Sequence, residues 1–346
     1  MNMKFKICIL IFICLIIGYL NKYIKYDIDN ICTIDTFLET KLCQKRTLKV
    51  NTNTILSTIE NISKYNRVCG SKGEIHAFNY LKNKLDSYGY NVELQEFTAY
   101  KQVFPKMING EINSYLRLED DKSEPGHNTK NIIGKNKNFD DNKKSIYITA
   151  HYDSEEKTTG VIDNSTGVSV VLEIARVLQK YEGDINIIPI FFSAEELGLV
   201  GSRYFVDNLD KSEISNVIGC INIDMVGVKD CEELVILSYD LKNPNEADDF
   251  IVNDNVLTYM INSKLSNKLE NKLGGGTDAI AFYGAKIPAI TLINKIPDYE
   301  MAHKSRDQQL KAINIHVLSR MCEKLSAFLN EFSLNEYELY LQKSIS

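Results

Sequence analysis

The chain has 346 residues, with 40 Lys and Arg against 46 Asp and Glu, a formal net charge of −6. It is 44% hydrophobic and 25% charged, with 18 Gly, 8 Cys, 5 His and no Trp. These figures exclude collagen-like, disulfide-dense and wholly disordered classes, and the mild acidity argues against a dedicated nucleic-acid binder. The chain opens on an apolar run, residues 7–20 (ICILIFICLIIGYL), flanked by Lys4, Lys6, Lys22 and Lys25. A charged start before a short apolar stretch is the pattern of a signal peptide. The run falls short of the ~20 residues of a full span, and no small-residue cleavage site ends it. Residues 1–26 are therefore expected to be a signal-anchor or a signal peptide, and the polar residues 27–50 a stalk. Either reading puts the body outside the cytoplasm, held at the cell membrane by its N-terminal segment or secreted. Cys32 and Cys43 are close enough to bridge, but scattered small hydrophobes explain them equally well.

Residues 53–85 carry helical apolar spacing (Ile55, Ile59, Ile62, then Ala77, Leu81, Leu85), split by a glycine-punctuated turn at 65–73. Alternation over 91–97 predicts a strand. Residues 119–130 and 135–144 read as charged loops around a short apolar piece, 131–134. Apolar strands are then expected at 145–150, 185–192 and 217–223, with further strands at 234–238 and 289–293. Helices are expected at 168–178 and 317–328. Strands alternating with helices indicate an α/β sandwich around a mixed, largely parallel twisted sheet. Length alone suggests about two domains, but α/β domains often exceed that prior, and one catalytic domain fits the pattern better.

Metal-type ligands stand at the ends of these strands. They are His151 after 145–150, Asp163 in GVIDNSTG, Glu195 and Glu196 after 185–192, and Asp224 after 217–223. In open α/β sheets, ligands bind outside the carboxyl ends of strands, so these side chains are expected to converge. His303, in the loop 301–307, completes the set. Zinc accepts imidazole nitrogen and carboxylate oxygen, and a carboxylate can bridge two ions. The set suits two Zn2+ per chain, with His151 and Asp224 on one, Glu196 and His303 on the other, and Asp163 bridging. Two such ions ~3.5–4 Å apart hold a shared hydroxide and polarise a carbonyl. Glu195 is the expected general base, taking the proton of the attacking water and passing it to the leaving amine. Asp153 is expected to hold the second imidazole nitrogen of His151. His76, His127 and His316 have no neighbouring motif and read as bystanders. Arg67 reads as the anchor of a turn. The acidic stretch 228–256 reads as a solvated loop. There is no GxSxG elbow, HExxH or P-loop.

Taken in order, the motifs resemble the M28 family of zinc-dependent exopeptidases, of the leucyl-aminopeptidase type. They are ITAHYDS (148–154), GVIDNSTGVSVVLEIAR (160–176), FFSAEELGLVGS (191–202), INIDMVG (221–227), GGTDAIAF (275–282), GAKIPAI (284–290) and His303 with Asp307. RVCGSKG (67–73) and GYNVELQEF (89–97) resemble the family's entry segment. The resemblance covers residues 50 to 330. It implies a three-layer α/β/α sandwich and an M28-like peptidase domain at 51–332 with a C-terminal tail, 333–346. It also implies peptide substrates trimmed from the N-terminus, the ligand and base roles given above, and a cis peptide between Asp163 and Asn164. Two departures stand out. Many relatives place Tyr before the last His; here it is Ala302, with Tyr299 the nearest phenol. The family's Ser-Asp-His triplet is Thr277-Asp278-Ala279. Thr277, Asp278, Phe282 and Tyr299 are the candidate substrate-pocket residues. Two alternatives share the scaffold. A glutaminyl cyclase resembles a single-zinc site lined by Trp, which this chain lacks. A degenerate, receptor-like ectodomain would lack ligands that are all present here.

Overall fold

Three runs, 145–150, 185–192 and 217–223, hold almost nothing but Ile, Val, Phe and small residues, a composition that suits strands covered on both faces. The computed structural model describes residues 48–103, 118–229, 234–238, 255–265, 270–272, 276–294 and 299–345. The chain divides into two units, Met1–Thr47 and Leu48–Ser346. The apolar run at 7–20, Cys32 and Cys43 lie outside the described residues, as does most of the acidic stretch after residue 229. Among the described residues, no helix is long and apolar enough to cross a membrane.

Chain order gives α1 (Thr52–Ile62), α2 (Lys72–Ser87), β1 (Asn91–Ala99), β2 (Gln102–Val103), β3 (Glu119–Asp120), β4 (His127–Lys135) and β5 (Lys144–His151). A π-helical turn (Val161–Ser165), α3 (Thr166–Val177), β6 (Ile185–Phe192), α4 (Val200–Asp207), α5 (Lys211–Asn216) and β7 (Val217–Ile223) follow. The remainder is β8 (Leu234–Ser238), α6 (Val256–Leu265), β9 (Glu270–Lys272), α7 (Ala279–Gly284), β10 (Ala289–Asn294), a 3-10 turn (Tyr299–His303), α8 (Arg306–Ala312), α9 (Ile315–Asn330) and α10 (Leu334–Ile345).

Eight strands form one sheet in the order β1-β4-β6-β5-β7-β10-β8-β9. The central four, β6, β5, β7 and β10, are mutually parallel. Every residue of β6 and β7 is buried, which requires helices on both faces. Helices α1, α2, α3 and α9 pack on one another, and α4 packs on α7. The result is a mixed three-layer α/β/α sandwich, as expected. Tyr147 of β5, Phe192 of β6, Phe205 of α4 and Phe282 of α7 form one aromatic cluster, with ring centroids 5.4 to 6.2 Å apart. Each such buried ring contributes roughly 1.5–3 kcal/mol of apolar transfer free energy.

Three expectations change. Residues 127–130 are not loop. β4 spans His127–Lys135 and pairs antiparallel with all of β1. Its polar residues 128–131 hid the strand, because a strand near a sheet edge needs only partial burial. The β4–β6 ladder is short and stops before Pro189, which has no N–H to donate. Leu48 and Val50, expected in the stalk, pack against the core. Most of the expected tail, 333–346, is α10, whose buried Tyr337 donates its hydroxyl to the Ile218 carbonyl of β7 at 3.0 Å. Leu334, Tyr337 and Leu341 have helical spacing, but the charged residues between them mask it.

Candidate metal centre

The register of the central strands brings the acids together. His151 ends β5 opposite Phe192, so the chain after β6 places Glu195 and Glu196 beyond the same sheet edge. Thr149 of β5 pairs with Asn222 of β7, so Asp224 leaves the sheet beside His151. Asp163 enters from the π-helical turn before α3, and its peptide bond to Asn164 is cis. Ala194, just before Glu195, and Met225, just after Asp224, hold φ of 58° and 47°. Left-handed backbone costs a side chain-bearing residue about 1–3 kcal/mol and concentrates at functional loops.

His151 is 1% exposed, and its Nε2 lies 3.0 Å from Asp163 Oδ1 and 3.5 Å from Asp224 Oδ1. Two overlapping groups each present three donor atoms within 4.8 Å of one another: His151, Glu195 and Asp224, and His151, Asp163 and Glu196. Both groups contain His151, and Asp163, the expected bridge, falls in the second. His303 joins neither group. It is 53% exposed, and its Nε2 lies 3.0 Å from Glu155 Oε2. The Glu155 amide in turn donates to Glu196 Oε1 at 3.2 Å, so His303 meets the acids through Glu155.

Asp153 is fully buried, with Oδ1 3.4 Å from His151 Nδ1. Its hydrogen bonds go elsewhere. Oδ1 accepts from the Glu195 amide and Oδ2 from the Glu196 amide, each at 3.1 Å. One carboxylate thus fixes two consecutive residues of the β6–α4 loop.

Crowded carboxylates disfavour their own ionisation. Desolvation pushes Glu195 well above the usual carboxylate range, opposed by His151. Desolvation and then Asp163 push Glu196 up to about 9. Burial raises Asp224 too, again opposed by His151. Burial would depress His151, but Glu195, Asp153, Asp163 and Asp224 outweigh it and raise the imidazole well above its ordinary value. Asp224 Oδ1 is buried with no hydrogen-bond partner among the described residues. An orphaned carboxylate oxygen, an excess of acid and an imidazole nitrogen together make a donor set that fits zinc. Glu195 and Glu196 keep part of their surface open, as a substrate-accessible site requires.

The pocket candidates fare differently. Thr277 is 4% exposed and shares a hydrogen bond with Thr291 Oγ1 at 2.7 Å. Phe282 is fully buried in the aromatic cluster, so both belong to the core rather than to an open pocket. Asp278 is fully buried, neither carboxylate oxygen meets a well-formed hydrogen bond among the described residues, and burial pushes it up to about 7 against the pull of His151 and the Ser202 hydroxyl. It lies within electrostatic reach of Asp224 and Asp153. Ala302 is buried, and its carbonyl accepts from Thr158 Oγ1 at 2.9 Å. The side chain of Tyr299 lies outside the described residues.

Three supporting side chains went unnoticed in the sequence. Asn164 Oδ1 accepts from the amides of Gly167 and Met225, and its Nδ2 donates to the Ile223 carbonyl at 2.9 Å, tying the Asp163 turn to the Asp224 strand. Gln309 of α8 accepts from the Ile162 amide and donates to Thr158 Oγ1 and the Lys304 carbonyl. Glu74 of α2 accepts from the Gly70 amide at 2.6 Å, from Thr129 Oγ1 at 2.5 Å and from Ser193 Oγ. Its only sequence signal was a carboxylate three residues after the Ser71 helix cap.

Known proteins resemble this chain in sequence and fold. Aminopeptidase YwaD of Bacillus subtilis (strain 168) is 46% identical over 101 residues, 29% of this chain and 22% of that protein. The alignment therefore spans about a fifth of that curated relative. Among solved structures, an aminopeptidase from Aneurinibacillus sp. strain AM-1 matches with a TM-score of 0.66 at 21% identity, over 82% of this chain and 94% of that one. Glutaminyl cyclase from Bacteroides thetaiotaomicron matches at 0.62 and 20% identity, over 82% and 99%. At such identities the likeness is one of fold. Residues 131–329 match the model of peptidase family M28, and this chain belongs to that family.

Proposed function

We propose that this chain is a zinc-dependent aminopeptidase that holds two Zn2+ and removes N-terminal residues from peptides. The observation that carries the reading is the convergence of His151, Asp163, Glu195, Glu196 and Asp224 at one sheet edge. His151, Asp163, Glu196 and Asp224 would hold the ions, with His303 available beside Glu155 to complete the set and Glu195 left free to act as base. When bound, zinc supplies Lewis-acid polarisation of the scissile carbonyl and lowers the pKa of coordinated water.

The chain's own residues do the rest. Glu195 accepts the proton of the attacking water on its carboxylate and delivers it to the leaving amine. Glu195, its pKa raised by burial in the metal-free site, would be favoured in its ionised form by positive charge held on the neighbouring ligands. Asp153 holds the Glu195 and Glu196 amides, so the base does not drift as charge moves. The low exposure of His151 and Asp224 keeps water from competing for their lone pairs. The apolar run at 7–20 supports an extracytoplasmic site of action, which partitioning of the full chain between membrane and medium tests.

The test is metal analysis of the purified chain alongside a panel of aminoacyl amides, N-blocked peptides and N-terminal glutaminyl peptides. Two zinc ions and release of N-terminal residues are expected. One ion with cyclised glutamine would move the chain to the glutaminyl cyclase reading. Glu195→Gln should lower kcat about 10²–10⁴-fold while zinc content holds. Unchanged turnover in that variant removes Glu195 from the mechanism.

A further inference from the structure

Arg67 lies in the segment joining α1 to α2 and has no exposed surface. No other arginine or lysine among the described residues is buried. All five hydrogen bonds of its guanidinium go to main-chain carbonyls. Nε donates to Tyr152 at 2.7 Å, and Nη2 donates to Gly160 at 3.0 Å and Asp153 at 3.3 Å. Nη1 donates to Thr159 and, at 3.5 Å, to Ile62. The main chain adds two more, since the Arg67 amide donates to Ser154 Oγ at 2.9 Å and the Ser154 amide to the Arg67 carbonyl at 3.3 Å.

Four of those five carbonyls belong to one loop, 152–160. It begins directly after His151, contains Asp153 and ends three residues before Asp163. Gly160 shows how tightly it closes. Its φ is +58°, and a Cβ there would stand 2.5 Å from Arg67 Nη2. Burying a cation without a paired carboxylate is costly unless its donors are satisfied. Here the carbonyls satisfy them, and Asp153, Asp163 and Glu196 lie within Coulombic reach. Lysine has three donors on a compact ammonium and cannot span the same fork.

We propose that Arg67 is a positioning residue for the metal centre, its guanidinium fixing the 152–160 loop so that Asp153 and Asp163 stand ready beside His151 before any ion binds. The inference rests on the metal-site reading above. Three roles leave different signatures. A countercharge alone competes with cations, so removing it would tighten zinc binding. A role confined to stability would lower the melting temperature and leave zinc affinity unchanged. A positioning role weakens zinc binding although a repelling charge has gone.

The experiment uses the full chain, Arg67→Met and Arg67→Lys. Zinc affinity is measured by competition with a chromophoric chelator, melting temperature with and without zinc, and kcat and KM on a leucyl amide at saturating zinc. Both variants should bind zinc about 10–100-fold more weakly. Their kcat should fall while KM stays within about twofold, since Arg67 does not touch substrate. The lysine variant keeps the charge and should be the milder; it carries the test if the methionine variant does not fold. Zinc binding by Arg67→Lys that equals or exceeds that of the unaltered chain overturns the proposal alone. Failure of the unaltered chain to bind zinc overturns the reading of the site, and the proposal with it.

Discussion

The acid crevice and the aromatic cluster grow from the same strands yet obey opposite rules. β5 contributes His151 to the crevice and Tyr147 to the cluster; β6 contributes Phe192 to the cluster and leads directly to Glu195. In the cluster the rings pack against one another. In the crevice Asp224 Oδ1 has no hydrogen-bond partner among the described residues, and neighbouring carboxylates raise one another. Stability and function therefore reside in different parts of the same sheet. The cluster stabilises the fold; the crevice gives up stability to create cation affinity.

The comparison breaks most visibly at Phe282. Phe282→Ala should destabilise the zinc-loaded protein by about 3–5 kcal/mol in denaturant unfolding, as a large ring leaves a closed cluster. Turnover per folded molecule should stay near that of the parent. A variant that loses turnover but not stability would return Phe282 to the substrate pocket and erase the division. On the crevice side, Asp153→Asn leaves one acceptor oxygen facing two amides that both donate to carboxylate oxygens. Zinc affinity or kcat should fall about 10–100-fold with little change in unfolding midpoint.

Proton linkage sharpens the same contrast. Glu196 rises from its ordinary 4.5 to about 9 in the metal-free fold. Between those values the folded state holds protons that the unfolded chain has released, so stability of the chelated protein should fall as pH rises from about 5 to about 9. Zinc takes deprotonated ligands, so the loaded protein should not follow. The gap between the two melting temperatures should widen with pH. Parallel curves for loaded and chelated protein would mean that the crevice acids do not meet the metal.

The two regions were not equally legible in the sequence. The apolar runs that become β5, β6 and β7 need both faces buried, so composition alone located them, and their ends named His151, Glu195, Glu196 and Asp224. What escaped has no one-dimensional signature. Arg67 was legible as the anchor of a turn, but not its partners, since they are carbonyls that every residue type carries. Asn164 and Gln309 bind amides far away in the chain. Glu74 reaches Ser193 across 119 positions. Phe282 followed a motif that suggested a pocket, whereas burial against Phe192 and Phe205 depends on how α7 packs on α4. His303 was assigned from its loop and the family motif it resembles, and its pairing with Glu155 depends on loop geometry that no spacing rule encodes.

The smallest effect lies at the sheet edge, where β1 pairs with β4. Lys135 of β4 stands 2.9 Å from Glu93 of β1, with the two side chains 25% and 46% exposed. Its ammonium also lies 4.6 Å from the ring centroid of Phe139. Exposed pairs of this kind are worth about 0.2–1 kcal/mol, because water screens the attraction and two long side chains lose freedom. Lys135→Met keeps the apolar stem and removes the charge, so unfolding should shift by less than about 1 kcal/mol. A double-mutant cycle with Glu93→Gln, run at low salt and at ~1 M salt, separates the ion pair from the ring contact. The Debye length shrinks to about 3 Å at the higher salt, so coupling to Glu93 should nearly vanish there. Zinc affinity and kcat should not move. A coupling above about 2 kcal/mol, or one indifferent to salt, would show that β1 and β4 are held together by charge rather than by the nine-residue ladder between them.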